Sequence, residues 1–175
     1  VLSGGGGLTG ASAITNASGI ATVGSWALGA TGGVPANGLY SNQLIATAQT
    51  AAGGTFNGSA YYSYTTHVHP LWAANGCLGC HGVAGNLNLN GTAASVYSTE
   101  LFNAATSCAF GVGVVQVASG GGAAAEANSL LMIKLDHSPA LATSPCTLGM
   151  PTAAPLSAAV RDVVRAWIRA GAALN

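Results

Sequence analysis

The chain has 175 residues, of which 50% are hydrophobic and only 5% are charged, and its formal net charge at pH 7 is zero. This balance removes the electrostatic basis for binding nucleic acid or an anionic membrane surface. No uninterrupted apolar run reaches about 18 residues, so we expect no membrane-spanning helix. All four basic and all four acidic side chains follow residue 99, which predicts two regions of different chemistry.

The first region, residues 1–60, has short apolar runs separated by turn signals. Asn16-Ala17-Ser18-Gly19 predicts a turn before a strand over residues 20–28, and Pro35-Ala36-Asn37-Gly38 predicts a break before a strand over residues 43–48. Strands at this spacing are typical of a small sandwich or part of one. Because natural sheets protect their edges with charge or proline, an uncharged region of this kind is expected to attract a partner strand.

Three pieces of this region resemble the C-terminal half of bacterial Ig-like domains of the invasin and intimin type: Gly4–Gly7, Thr15–Val23 and Leu44–Ala48. The resemblance implies an N-terminal all-β Ig-like partial sandwich over residues 1–60, without its first strands. Residues 61–68 are then a linker. An incomplete sandwich exposes unpaired backbone groups, so we expect β-strand addition between copies of the chain.

The second region, from residue 69 onward, has the periodicity of helices. Thr92 is a suitable cap for a helix over residues 93–104, and Gly171 is a suitable stop for the last one. The predicted helices cover residues 70–74, 93–104 and 157–170, and residues 129–135 are expected to form a short apolar helix or a turn. In the last helix the apolar residues share one face and three arginines share the other.

The most specific motif is Cys77-Leu78-Gly79-Cys80-His81. A C-x-x-C-H pentapeptide is the attachment site for a c-type haem. Two thiols on one helical turn can each add to a vinyl group of the same porphyrin, and the adjacent histidine becomes an axial ligand of the iron. The motif therefore predicts one covalent haem c held by Cys77, Cys80 and His81.

Four ordered blocks resemble a class I-like monohaem cytochrome c: Cys77–Gly82, Ser129–Leu135, Cys146–Pro151 and Leu156–Ala172. The resemblance implies an all-α cytochrome c fold over residues 69–175, so that the whole chain has two parts. It also implies that Met150 is the distal ligand opposite His81. A thioether suits this role because it stabilises ferrous iron and raises the potential.

Other residues compete for these roles. Met132 could be the distal ligand, but its apolar surroundings favour core packing, and His67, His69 and His137 are further alternatives, each of which could instead be exposed or hydrogen-bonded. The C-x-x-C pair could be a thiol redox motif or half of a zinc site. The first needs a βαβ setting and the second needs another ligand pair, and the sequence offers neither.

The other two cysteines, Cys108 and Cys146, are expected to form a disulfide, with free buried thiols as the alternative. Haem c attachment is completed outside the cytoplasm, so we expect an exported protein at the cell surface, in the extracellular space or in the periplasm. Since the chain starts at Val1 without Met, a basic n-region or an apolar h-region, we expect a mature or truncated product from which any signal was removed.

These expectations combine into electron transfer by an exported monohaem cytochrome that is not an enzyme, because six-coordinate iron leaves no open position for a substrate. Its expected partners are redox proteins and further copies of itself in an oligomer or filament. Two alternatives stay open. One is a surface adhesin whose haem is a sensor, and the other is a haem peroxidase-like enzyme.

Overall fold

A computed structural model describes residues 3–30, 34–48, 51–82, 87–102, 116–139, 141 and 148–175. The described residues form two compact units. The sheet unit comprises residues 1–33 and 39–61, and the helical unit comprises residues 34–38 and 62–175. Residues 64–68, inside the predicted linker, form a π-helical turn of the helical unit.

The described residues of the sheet unit form two antiparallel pairs of strands. β1 (Gly7–Thr9) pairs with β2 (Ser25–Ala27), and β3 (Tyr40–Ala48) pairs with β4 (Ala51–Ala60). Between β1 and β2 the chain turns at Asn16, whose Oδ1 accepts hydrogen bonds from the amides of Ser18 (2.9 Å) and Ile20 (3.0 Å). This is the Asx turn that the Asn-Ala-Ser-Gly sequence favours, and it confirms the predicted turn.

Among the described side chains of this unit, a buried strand face is found on β3. Tyr40, Asn42 and Leu44 alternate with more exposed residues along β3 and are buried, as a half-buried strand requires. The Asn42 side chain accepts from the amide of Gly29 (2.8 Å) and donates to its carbonyl (3.0 Å), so its polar atoms are satisfied. From Ile45 to the end of β3 every side chain is exposed.

The predicted fold class is wrong. A sandwich needs two apolar sheet faces packed together, whereas Phe56 on β4 is 55% exposed and the strand predicted over residues 20–28 is reduced to Ser25–Ala27. The second part is not an all-α cytochrome fold, because all its described α-helices except the last have only four to six residues. The described residues form a mixed α/β structure with two two-stranded sheets and six short helices.

The helical unit begins with the π-helical turn Tyr64–Val68, which continues into α1 (His69–Ala74). The other helices are α2 (Leu78–His81), α3 (Ala93–Val96, followed by π-helical Tyr97–Leu101), α4 (Gly122–Ala127), α5 (Leu130–Leu135) and α6 (Ala158–Arg169). The side chains of Thr92 and Ser157 cap α3 and α6 by accepting from Ser95 N (3.2 Å) and Val160 N (3.4 Å). Thr92 is therefore the cap that the sequence predicts.

The core of the helical unit is aromatic. Tyr64, Trp72 and Trp167 are fully or almost fully buried, and the rings of Tyr64 and Trp167 lie 5.2 Å apart. Trp72 Nε1 donates to the Tyr64 hydroxyl at 3.1 Å, which satisfies a buried indole N–H. This core joins α6 to the segment that leads into the Cys-x-x-Cys-His motif.

The polar face of α6 packs against α4 and α5 through ion pairs. Arg165 contacts Glu126 (2.7 Å) and Asp136 (2.7 Å), Arg169 contacts Glu126 (2.6 Å), and Arg161 contacts Asp136 (2.6 Å). Each of these side chains is between 16% and 26% exposed. The three arginines therefore bind the helices of this unit to one another rather than facing open solvent.

Candidate functional site

The Cys-x-x-Cys-His motif starts where α1 is stopped by a glycine. Gly76 has a positive φ of 71°, its amide donates to Ala73 O (3.1 Å), and the Cys77 amide donates to Trp72 O (2.9 Å). These two bonds make a Schellman motif, in which glycine takes the left-handed position at the lowest cost. The helix that carries the buried Trp72 thereby fixes the position of Cys77.

Immediately afterwards the chain makes one more helical turn, and that turn brings together three of the predicted site residues. Cys77 is the N-cap of α2, and its carbonyl accepts from the amides of Cys80 (3.3 Å) and His81 (2.9 Å). Residues three and four positions apart lie on one face of a helix. Both cysteines are free thiols; Cys77 and His81 are half-buried, and Cys80 is exposed.

The imidazole of His81 is oriented by the returning chain. Its Nδ1 lies 3.1 Å from Leu87 O, and the His81 carbonyl accepts from the Leu89 amide at 2.7 Å. Because a carbonyl oxygen only accepts, Nδ1 donates this bond, and in the neutral ring Nε2 is then the nitrogen with the lone pair. A second hydrogen bond of this kind is how proteins orient metal-ligating histidines.

The environment of Cys77 bears on the thiol redox alternative. Burial raises the pKa of the Cys77 thiol above its usual range, the thiol's own backbone hydrogen bond partly opposes this shift, and the nearby Cys80 adds to it. Reactive cysteines of redox motifs have lowered pKa values instead. Cys77 is thus a neutral thiol at pH 7, which does not favour thiol–disulfide exchange.

Met150 is placed by a different part of the chain, the C-terminal end of α5. Its amide donates to Lys134 O at 2.9 Å, and Lys134 Nζ donates to Leu148 O at 2.6 Å. His137 Nε2 donates to Pro151 O at 2.9 Å. A Cβ at Gly149 would overlap the His137 ring, so only glycine allows the ring to lie this close to the loop.

The competing ligands have other partners. Met132 is 2% exposed and packs in the core. His67 Nδ1 accepts from the Ser63 amide at 3.0 Å, which engages the one lone pair of that neutral ring, and His69 Nε2 lies 3.0 Å from Gly91 O. All three histidines are thus hydrogen-bonded, but in His69 and His137 the bond to a carbonyl leaves the other ring nitrogen available, as it does in His81, so the choice among them stays open.

Several residues that shape the site were not predicted. Gly76 could have been recognised from Asn75-Gly76 directly after the short helix, since this pair is a common helix stop. No local sequence pattern marks the Leu87 carbonyl, or marks Lys134 and His137 as the residues that hold the Met150 loop. They contribute backbone atoms or hydrogen bonds between separate segments, and no local spacing encodes those contacts.

Cys108 and Cys146 lie outside the described residues, so their disulfide stays a prediction. Within the described residues, no group of three or more His, Cys, Asp or Glu side chains could hold a metal ion. In that same part of the chain no helix is long and apolar enough to span a membrane.

The donor set is nevertheless suited to a covalently bound haem. It combines two free thiols on one turn, of which one is exposed, with an imidazole whose Nδ1 donates to the Leu87 carbonyl, so that Nε2 is the nitrogen available to a metal. Comparisons with known proteins add nothing to this assignment. No family model matches the chain, and searches of curated proteins and of solved structures find no match.

Proposed function

We propose that the chain is an exported electron carrier with a single haem c, held by Cys77 and Cys80 and ligated by His81 and Met150. The observation that carries this proposal is the turn at Cys77–His81, with His81 Nδ1 held by Leu87 O. The proposal rests on this site and on the resemblance of its motif to monohaem c-type cytochromes. It does not depend on the predicted fold, because function resides in sites rather than folds.

When bound, such a haem supplies one-electron exchange between ferric and ferrous iron. In this proposal the protein contributes position and surroundings. Leu78 and Leu87 are partly buried against the core and Leu89 is 4% exposed, so the turn has an apolar side. An apolar shell limits the access of water, which together with a thioether ligand raises the potential.

The proposed partners are redox proteins that accept or donate single electrons. Because haem c attachment takes place outside the cytoplasm, the proposed location is extracellular, at the cell surface or in the periplasm. With a net charge of zero and the arginines of α6 in internal ion pairs, recognition would depend on short-range contacts rather than on long-range steering.

Optical spectra of the haem-loaded protein test the proposal. We expect reversible one-electron reduction, low-spin iron in both states, and the weak long-wavelength absorption of methionine-ligated ferric haem. Met150→Ala should abolish that absorption and lower the midpoint potential, while Met132→Leu should leave both unchanged. A high-spin ferric spectrum in the wild type would contradict the proposal and favour the peroxidase alternative, and displacement of Met150 by a diatomic gas would favour the sensor.

Self-assembly through the sheet unit is a second part of the proposal, and a separate observation favours it. β4 pairs only with β3 among the described residues, so every second residue of β4 directs its amide and carbonyl away from the ladder. Neither strand carries a charged side chain or a proline, the usual protections of an edge. The same unit exposes Ile14 (96%) and Ile20 (60%) on the arms of the Asn16 turn.

We infer that the occupant of this edge is an arm of a second copy, because the open edge and the exposed extended arms occur in one unit. Electron microscopy and size exclusion should show oligomers or filaments. Phe56→Lys, which places a charge on β4, should reduce them to monomers, whereas the same charge at the exposed helical position Ala94 (Ala94→Lys) should not. Monodisperse wild-type monomers would contradict this part.

A further inference from the structure

The loop that presents Met150 is attached to α5 through three hydrogen bonds and one close packing contact. Lys134 accounts for two of the bonds, through Nζ to Leu148 O (2.6 Å) and through its carbonyl to Met150 N (2.9 Å). His137 accounts for the third, from Nε2 to Pro151 O (2.9 Å), and its ring lies against Gly149. Every residue from 148 to 151 thus contacts one of these two side chains or its backbone.

His137 holds this position at a conformational cost. Its φ is 51°, in the left-handed region that favours glycine. The amides of His137 and Ser138 donate to Lys134 O (3.2 Å) and Ile133 O (3.1 Å), the two bonds of a Schellman motif. His137 is therefore the residue that ends α5, at the position where glycine is usual.

A residue other than glycine in a costly backbone conformation often has a functional side chain. For α5 alone, glycine would end the helix at a lower cost. The imidazole adds the bond to Pro151 and the contact with Gly149, both on the Met150 loop. Its contacts thus go to the loop that carries the proposed ligand.

We propose that Lys134 and His137 are positioning residues that hold the Met150 thioether ready for axial ligation. This inference rests on the proposed function for its consequence. The attachment of the loop to α5 can be measured without haem, by hydrogen exchange at the Met150 amide. His137 acts through the loop backbone, and it is not a ligand in this proposal.

The decisive variant is His137→Gly, because it removes the ring while relieving the backbone. If His137 serves only to end α5, His137→Gly should keep or raise the global stability and leave hydrogen exchange at the Met150 amide unchanged. The positioning role predicts instead that global stability is kept while hydrogen exchange at the Met150 amide becomes roughly five- to tenfold faster, the factor that one hydrogen bond contributes. Lys134→Met, which keeps the apolar stem, should give a smaller change in the same direction.

In the haem-loaded protein, His137→Gly should remove at least half of the methionine-ligation absorption, with covalent haem content unchanged. The matched control is His67→Ala, which removes a histidine bonded to Ser63 N and should leave the absorption intact. Unchanged amide exchange and unchanged absorption in His137→Gly would overturn the inference, as would loss of the absorption in His67→Ala alone. If wild-type protein lacks the absorption, Met150 ligation itself fails, while the amide exchange still decides whether His137 holds the loop.

Discussion

The two units of this chain treat apolar surface in opposite ways. The sheet unit has no charged side chain and leaves Ile14 96% exposed and Phe56 55% exposed. The helical unit buries Trp167 completely and binds its helices together with arginine–carboxylate pairs. A unit of the second kind can hold side chains in fixed positions, whereas a unit of the first kind leaves surface for a partner.

This contrast suggests a division of labour. The proposed ligands lie in the helical unit, where Cys77 follows the helix that carries the buried Trp72 and Met150 is bonded to α5. The unprotected β4 edge lies in the sheet unit. The proposed chemistry therefore depends on the packing of one unit and the proposed assembly on the exposure of the other, so the two should respond to different mutations.

The largest expected difference comes from deleting one large side chain in each unit. Trp167→Ala removes a fully buried indole and should lower the free energy of unfolding by about 3–5 kcal/mol. Phe56→Ala truncates a half-exposed ring and should change it by less than about 0.5 kcal/mol. Guanidinium unfolding followed by circular dichroism measures both, and similar losses for the two variants would erase the contrast.

The ion pairs of α6 should have the next largest effect. Burial alone would lower the pKa of Arg165, but the hydrogen bonds and the charges of Glu126 and Asp136 together raise it, so the guanidinium stays charged. Arg165→Met leaves two carboxylates with one arginine each and should cost about 2 kcal/mol in the same unfolding measurement. Asp162→Asn is the control, because Asp162 also contacts Arg165 (2.6 Å) but is 45% exposed and should contribute under about 0.5 kcal/mol. Equal losses in the two variants would mean that the ion pairs of Arg165 contribute no more than an exposed surface pair.

Ionisation of Tyr64 should make the stability of the helical unit vary with pH in the alkaline range. Burial raises its pKa from 10.0 to about 12, and the hydrogen bond from Trp72 partly opposes this shift. The folded state therefore keeps a proton that the unfolded state loses. The free energy of unfolding is therefore unaffected by this group below pH 10 and falls as the pH rises from 10 through 12, because ionisation favours the unfolded state.

The corresponding loss should be about 2 kcal/mol between pH 9 and pH 12. Tyr64→Phe, which cannot ionise, serves as the reference at each pH. Its initial disadvantage of about 1 kcal/mol, caused by the unpaired Trp72 N–H, should shrink or reverse as the pH rises. Parallel pH profiles for the two proteins would show that Tyr64 does not titrate in this way.

The smallest expected effect separates the two glycines of the motif. Gly76→Ala forces a side chain into the left-handed region and should cost about 1 kcal/mol, although its Cβ would meet no atom. A Cβ at Gly79 would also meet open space, but Gly79 lies within α2. Gly79→Ala should therefore raise the free energy of unfolding by up to about 1 kcal/mol. Thermal unfolding measures both changes, and effects of the same sign would contradict the Schellman geometry.

Local features of this structure were predictable because neighbouring residues encode them. The Asn16 turn, the Thr92 cap and the last helix are each specified within a few residues, and the structure confirms them. The turn at Cys77–His81 belongs to the same class. Two cysteines and a histidine at this spacing can share one turn regardless of what surrounds it.

The fold class was not predictable in the same way, because it depends on which faces meet. The alternation of residues 43–48 predicts a strand but not that Ile45 and the residues after it stay exposed. The anchoring of Met150 by Lys134 and His137 is equally non-local. It depends on how α5 ends and on a positive φ at His137, which no residue pattern around a histidine indicates.

The most direct test of the central claim is the intact mass of the denatured protein after production with a c-type haem attachment system. We predict a mass increase equal to one haem, which survives denaturation and acid extraction. The gain should disappear in the double variant Cys77→Ala and Cys80→Ala but persist in Met150→Ala. A wild-type mass equal to that of the unmodified chain, or a haem that extracts freely, would contradict the account.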